Sequence, residues 1–245
     1  MKDLLHDIVS HTQNLGFLNI VKITSSDEAT LVDSIADDKS VVLQAHTKTP
    51  CAEMQGEFGM PQLQKLKYLL DGPEYREGAK ISITTVDRSG ERTPTGIHFE
   101  NAAGDFKNDY RFMNSEIINK KLTTVEFRGV HWDVEVVPEL SAIQRFNFQA
   151  GANSEHPTFL AKVENSQLKF IFGDLASHGG EFIFATNVSG NLSSSWAWPV
   201  QPILAILKIA DVNSTVMSLS NSGAIMLTLD SGLAVYKYII PAKAR

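Results

Sequence analysis

Cysteine is nearly absent from this sequence. Cys51 is the single thiol in 245 residues, so no disulfide can form within the chain, which fits a reducing compartment. No apolar run approaches the roughly eighteen residues of a membrane-spanning helix. The opening residues, Met1-Lys2-Asp3-Leu4-Leu5-His6-Asp7, set acids and a histidine where a signal peptide carries its apolar stretch. The expected location is therefore cytoplasmic, with no membrane partner. Catalytic and cofactor signatures are also lacking. There is no GxxxxGK[ST] loop, no GxGxxG opening a helix after a strand, no HExxH, no CxxC pair and no GxSxG. The seven histidines, at 6, 11, 46, 98, 131, 156 and 178, include no pair with metal-ligand spacing on one helix face. The expectation is no cofactor, no metal and no enzymatic activity, with binding or scaffolding as the default role.

What is present is an ordinary globular composition, 43% hydrophobic and 20% charged. Twenty-two basic against 28 acidic residues give a net charge of −6. That balance argues against nucleic-acid binding over the whole surface and leaves room for one basic stripe. Apolar spacing and breakers predict four helices: Lys2–Leu15, Pro61–Leu70, Glu139–Ala150 and Pro202–Ala210. Nearly all the rest reads as short strands: Phe17–Thr24, Val41–His46, Ala79–Val86, Thr95–Glu100, Tyr110–Met113, Trp132–Val137, Phe159–Glu164, Leu168–Phe172, Phe182–Val188, Thr215–Ser220, Ala224–Leu229 and Leu233–Ile240. Asp87-Arg88-Ser89-Gly90, Ser220-Asn221-Ser222-Gly223 and His178-Gly179-Gly180 read as hairpin turns.

The element order, helix, strands, helix, strands, then occurs a second time. At an offset of 141, Pro61-Gln62-Leu63-Gln64-Lys65-Leu66-Lys67 lines up with Pro202-Ile203-Leu204-Ala205-Ile206-Leu207-Lys208, keeping Pro, Leu, Leu and Lys in register. Ser89-Gly90 and Ser222-Gly223 fall in corresponding hairpins, and Tyr110 and Tyr236 in the closing strands. A duplicated α+β chain follows, with domain 1 at 1–114, domain 2 at 130–245 and a polar connector of 115–129 holding the apolar pair Ile117-Ile118.

This layout, with no catalytic residues, resembles the DNA sliding clamps. Gly56-Glu57-Phe58-Gly59-Met60-Pro61-Gln62-Leu63 is similar to the strand-to-helix entry of the second clamp helix. Leu229-Asp230-Ser231-Gly232-Leu233-Ala234-Val235-Tyr236 resembles the last hairpin, and Tyr236-Lys237-Tyr238-Ile239-Ile240-Pro241-Ala242-Lys243 the closing strand and tail. Length and two-domain layout resemble the trimeric clamps of archaea, eukaryotes and T4-like phages, with the phage type favoured, which would place the protein in the host cytoplasm. The resemblance implies antiparallel sheets outside and helices lining a ring channel. It also implies a homotrimeric processivity factor that encircles duplex DNA, tethers a DNA polymerase and is loaded by a separate ATP-dependent loader.

The charges fit that implication. The predicted helices carry Lys2, Lys65, Lys67, Arg145 and Lys208 against Asp3, Asp7 and Glu139, so the helices are basic while the rest of the chain is acidic. Gln64, Lys65 and Tyr68 lie away from Leu63/Leu66/Leu70, and Ser141 and Arg145 lie opposite Leu140/Ile143/Phe146. The expected DNA-binding residues are Lys65, Lys67, Arg145, Lys208 and Gln64. The first helix, with Asp3, His6, Asp7 and Ser10 on its polar face, fits less well. The resemblance further implies an apolar pocket for partner peptides, here Ile117 and Ile118 in the connector and Ile240, Pro241 and Ala242 in a tail left free by Pro241. The alternatives are a non-enzymatic β-rich structural or interaction protein of a virus, and an enzyme built on Asp174 and His178.

Overall fold

The computed structural model describes the chain except residues 89–90, 123–128, 175, 177, 194 and 244–245, and the side chains of residues 88 and 91. The expected Ser89-Gly90 turn and residues 123–128 of the connector therefore lie outside the described residues. The chain divides into two compact units: Met1–Val125 with Gly232–Val235, and Glu126–Ser231 with Tyr236–Arg245. Every described strand pairing is antiparallel, and the architecture is α+β.

The first unit holds α1 (Lys2–Ser10), β1 (Val21–Ser25), β2 (Thr30–Ile35), β3 (Val42–Thr47), β4 (Gly56–Met60), α2 (Leu63–Asp71), β5 (Lys80–Arg88), β6 (Glu91–Glu100), β7 (Lys107–Arg111), β8 (Met113–Asn114) and α3 (Ser115–Lys121). Its strands run β8-β4-β1-β2-β3 and β5-β6-β7. Helix α1 buries Leu5, Ile8 and Val9 and packs on α2, which buries Leu63, Leu66, Leu69 and Leu70. The α-helix ends five residues before the expected Leu15. Thr12, fully buried, donates its hydroxyl to the Ile8 carbonyl at 2.6 Å, and a 3₁₀ turn at Gln13–Leu15 follows. Helix α2 starts at Leu63 rather than Pro61 because Gln62 sits in the left-handed region at φ 52°.

Two elements of this unit, β2 and α3, were not expected from the sequence, and β4 was indicated only by the resemblance, as the strand of the strand-to-helix entry before α2. Strand β2 faces the core with Thr30 and Ser34 as well as Val32. The Ser25 and Thr30 hydroxyls bond at 2.6 Å and Ser34 donates to the Ile20 carbonyl, so hydroxyl pairs stand where an alternating apolar pattern would have shown. Strand β4 contains two glycines. At Gly59 a Cβ would lie 2.7 Å from Cδ1 of Ile118, so the strand yields its side-chain volume to α3. Helix α3 is short and polar; Asn114 caps it by accepting the Ile117 N–H at 2.9 Å. The start of the expected connector is thus helical.

The second unit holds β9 (Val134–Val136), α4 (Leu140–Ala152), β10 (Thr158–Glu164), β11 (Gln167–Gly173), β12 (Gly179–Ala185), β13 (Ala197–Pro199), α5 (Val200–Ile209), β14 (Thr215–Ser220), β15 (Ala224–Asp230) and most of β16 (Ala234–Pro241). Its strands run β12-β11-β10-β13 and β16-β15-β14-β9. Helix α4 packs on α5 and on β12. It buries Ala142, Ile143, Phe146 and Ala150. Leu140, expected on that face, is instead 59% exposed in the first turn. His178-Gly179-Gly180 is not a turn. Gly179 and Gly180 pair with Gly173 and Phe172 inside the ladder, and a side chain on Gly180 would strike Gln149 of α4. The short β13, which ends in a proline, was also unexpected.

The duplication is visible in the connectivity. Helix, four strands, helix, three strands occurs as α1-β1-β2-β3-β4-α2-β5-β6-β7 and as α4-β10-β11-β12-β13-α5-β14-β15-β16. The sheet orders agree: β4-β1-β2-β3 matches β13-β10-β11-β12, and β5-β6-β7 matches β14-β15-β16. The offset noted in the sequence places Leu63 with Leu204 and Leu66 with Leu207, all four buried, and Tyr110 and Tyr236 lie in the equivalent strands β7 and β16.

Candidate nucleic-acid interface

Each unit pairs two helices, and the sides turned away from the sheets carry some of its exposed cations; others stand elsewhere, among them Lys39, Lys80, Lys107, Arg111, Lys162 and Lys237. On α2, Gln64 and Lys65 are exposed and Lys67 is half-buried. Gln64 accepts a hydrogen bond from Gln13 at 2.9 Å. On α4, Arg145 is exposed, its Nε donating to the Ser141 carbonyl at 3.4 Å. On α5, Lys208 is exposed in the last turn, where a cation also meets the negative end of the helix dipole. None of these five expected residues is buried.

Helix α1 is less acidic toward solvent than its sequence reads. Asp7 and His11 pair at 3.3 Å with both side chains about nine-tenths buried. Asp3 is exposed, and His6 lies 3.9 Å from Asp71. Lys2 is occupied, donating at 2.6 Å to the carbonyl of Tyr75, the last residue of another 3₁₀ turn at Pro73–Tyr75. The exposed helix faces also carry polar groups that charge counting does not find, namely Ser141, Gln144, Asn147 and Gln201. They carry two exposed aromatics as well, Tyr68 and Phe148. Phe148 lies off the Ile143/Phe146 face by helical spacing, and a reading that looks for charges on the opposite face passes over it.

The expected partner residues divide. Ile117 is half-exposed, but Ile118 is fully buried against Gly59, so the two do not form an exposed pair. Ile240 is fully buried, Pro241 is exposed and Ala242 is half-buried. The tail is not free as far as Lys243. Ala242 N–H donates to the Gly223 carbonyl at 2.9 Å and Lys243 N–H to the Ala197 carbonyl at 2.8 Å. What the first unit does provide is a cavity of about 200 Å³ beside the β2–β3 hairpin, lined by Ile20, Ile35, Ala36, Lys39, Lys121 and Leu122.

Charge is arranged next to that cavity. Lys22 reaches Glu57 at 3.0 Å and Asn119 of α3 at 2.7 Å, tying α3 to β1 and β4. Burial opposes ionisation of Glu57, but hydrogen bonds from Lys22 and Asn119 outweigh it and hold the carboxyl below its ordinary range. Asp33, opposite Lys22 across β1 and β2, is pushed up by burial despite the nearby ammonium.

Asp174 accepts the Ala176 N–H at 2.9 Å, which makes it a turn residue after β11. Among the described residues no three His, Cys, Asp or Glu side chains gather as metal ligands, and no helix is long and apolar enough to cross a membrane.

No protein-family model and no curated protein matches the sequence. Solved structures do match over nearly the whole chain. PCNA from Thermococcus kodakaraensis superposes with a TM-score of 0.69 at 12% identity, covering 98% of this chain and 97% of that one. A. fulgidus PCNA, bound to the C-terminal region of FEN-1, gives 0.67 at 10% identity, covering 100% and 95%. Proliferating Cellular Nuclear Antigen from Entamoeba histolytica gives 0.65 at 10%, covering 99% and 94%. The chain has the sliding-clamp fold.

Proposed function

We propose that this chain is a DNA sliding clamp, a ring of three copies that encircles duplex DNA and tethers a DNA polymerase without chemistry of its own. The reading rests on one observation above others. Both units of the clamp fold turn helix faces away from their sheets, and those faces carry Lys65, Lys67, Arg145 and Lys208 on a chain that is acidic overall. A protein that slides needs phosphate contacts and no base contacts, and cations on otherwise polar helices supply that.

Closure follows from the sheet edges. Among the described strands β7 pairs only with β6, and β12 only with β11. Exposed edges left open invite other strands. In this reading β12 of one copy adds to β7 of the next, head to tail, and a ring closes. Residues 1–114 and 130–245 are the two clamp domains, and 115–129 is the connector, beginning with α3. The polymerase and an ATP-dependent loader bind by short peptides. The cavity at Ile20, Ile35, Ala36 and Leu122 is the anchor, Ile117 is the exposed apolar residue of α3, and Pro241 is exposed at the tail.

Light scattering tests the assembly. A trimer has about 81 kDa, three times 27.0 kDa. A stable monomer at micromolar concentration favours the rival reading, a β-rich interaction protein whose duplication is only structural.

A further inference from the structure

Two of the most exposed large apolar side chains in the molecule sit in the same local pattern on different helices. Tyr68 on α2 is 78% exposed and Phe148 on α4 is 72% exposed. Each follows an exposed cation by three residues, Lys65 and Arg145, and each cation follows a glutamine. The intervening position is fully buried in both cases, Leu66 and Phe146. Gln64-Lys65-Leu66-Lys67-Tyr68 and Gln144-Arg145-Phe146-Asn147-Phe148 thus share the order glutamine, cation, core residue, polar residue, solvent-facing aromatic.

The duplication does not account for this recurrence. The counterpart of α2 is α5, and that of α4 is α1. At the offset of 141, Lys65 and Tyr68 fall on Ile206 and Ile209 of α5, and α1 contains no phenylalanine, tyrosine or tryptophan. The pattern has therefore arisen on two non-equivalent helices, which points to a common ligand rather than common descent. A single exposed apolar side chain needs no explanation; two with the same neighbours in the same order do.

We infer that Tyr68 and Phe148 are DNA-contacting residues that lie against the deoxyribose of the strand whose phosphate the preceding cation holds. Residues three apart on a helix are neighbours, with Cβ atoms about 5–6 Å apart, so one helix face presents a cation and an aromatic ring side by side. The sugar-phosphate backbone presents the complementary pair, an anionic phosphate beside the apolar face of a sugar. The glutamine amide adds a neutral donor to a phosphate oxygen. Such a contact reads no bases, so it is compatible with sliding. It also gives a surface with few cations a component of affinity that salt does not screen. This inference rests on the clamp reading.

The test is binding of the purified protein to a labelled 40-base-pair duplex, followed by anisotropy across a salt series. Y68A/F148A is expected to bind about ten-fold more weakly at every salt concentration, with the slope of log K against log salt unchanged. K65A/R145A is expected to reduce that slope by about two. Y68F/F148Y keeps the rings and is expected to bind as wild type. Equal thermal unfolding and equal assembly mass for the variants separate loss of contact from loss of fold. Wild-type affinity in Y68A/F148A, with a normal slope in the parent, overturns the aromatic contact and leaves the clamp reading standing. A parent protein that binds no duplex even at low salt overturns both.

Discussion

The two units share one topology and hold it together with different chemistry. The second is organised around a phenylalanine cluster. Phe146 of α4 meets Phe159, Phe170, Phe172, Phe182 and Phe184 with ring centroids 5.1 to 6.5 Å apart, and Phe170 stacks on Phe184 at 4.4 Å. The first unit has no such cluster among its described residues. Its helices meet through leucines, and its rings form smaller, mixed groups: Phe58 stacks on Phe112 at 4.2 Å, Phe99 meets Tyr75 at 5.3 Å, and Tyr75 and Tyr110 are fixed by hydrogen bonds. Tyr110 donates to the Pro61 carbonyl at the entry to α2, and Tyr75 accepts from Asn108 at 2.7 Å. Lys22, Glu57 and Asn119 add a charged tie. One backbone plan therefore tolerates an oily core or a polar-anchored one, provided that the same positions are filled. This explains why the halves match in element order yet share so few residues.

That comparison can be broken by substitution. Phe146→Ala removes the ring at the centre of the cluster and is expected to cost about 3–5 kcal/mol, the largest effect, measured by urea unfolding. A cost below about 1 kcal/mol would mean that the cluster is not what holds the second unit. Tyr110→Phe keeps the packing and leaves the Pro61 carbonyl without its donor, and is expected to cost about 1–3 kcal/mol. The equivalent Tyr236→Phe serves as the internal comparison in the second unit.

Reversing Lys65 and Lys67 of the first unit, or Arg145 and Lys208 of the second, is expected to leave stability within about 0.5 kcal/mol per site, because all four are solvated to a large extent. Each pair is expected to weaken duplex binding, and the quadruple reversal to abolish processive synthesis. Quadruple-variant synthesis at the parent level would remove the helix faces from the DNA path.

The smallest effects concern pH, and two carboxyls of the first unit carry opposite signs. Glu57, held below its ordinary value, contributes stability that is complete above about pH 4.3 and is lost as pH falls through its folded value. Asp33 has the opposite sign. Its carboxyl is raised by burial, so its effect is most favourable below about pH 3.9 and is lost as pH rises through the folded value. Asp33→Asn is therefore expected to stabilise slightly at neutral pH, whereas Glu57→Gln is expected to destabilise at neutral pH and to match wild type in acid. Thermal melts across pH 3 to 7 read both.

Much of the fold was legible in the sequence wherever one physical signal dominated. Helices α2, α4 and α5 were found through leucine, isoleucine and phenylalanine at helical spacing, and the strands of the phenylalanine cluster through alternation. Strand β2 was hidden because Thr30 and Ser34 point inward, satisfied by Ser25 and the Ile20 carbonyl rather than by oil. Strand β4 shows no alternation, since Gly59 gives up its side chain to Ile118, and only the resemblance of Gly56–Leu63 to a strand-to-helix entry indicated it. For the candidate site, helix spacing placed Gln64, Lys65 and Arg145 toward solvent, as the structure does. It did not separate Ile117 from Ile118, since a two-residue apolar pair in a polar segment has no period. It also could not show that the tail is held by backbone hydrogen bonds to Gly223 and Ala197, which connect residues far apart in the chain.

The central claim is topological: the protein encloses duplex DNA. It is tested most directly with a linear duplex anchored at one end, the other end being capped by a tightly bound protein either before or after the chain is added. The account predicts that protein is retained through a salt wash only when capping comes second, and that cutting the duplex inside the cap releases it. Retention that is the same in either order, and unchanged by cutting, would contradict it.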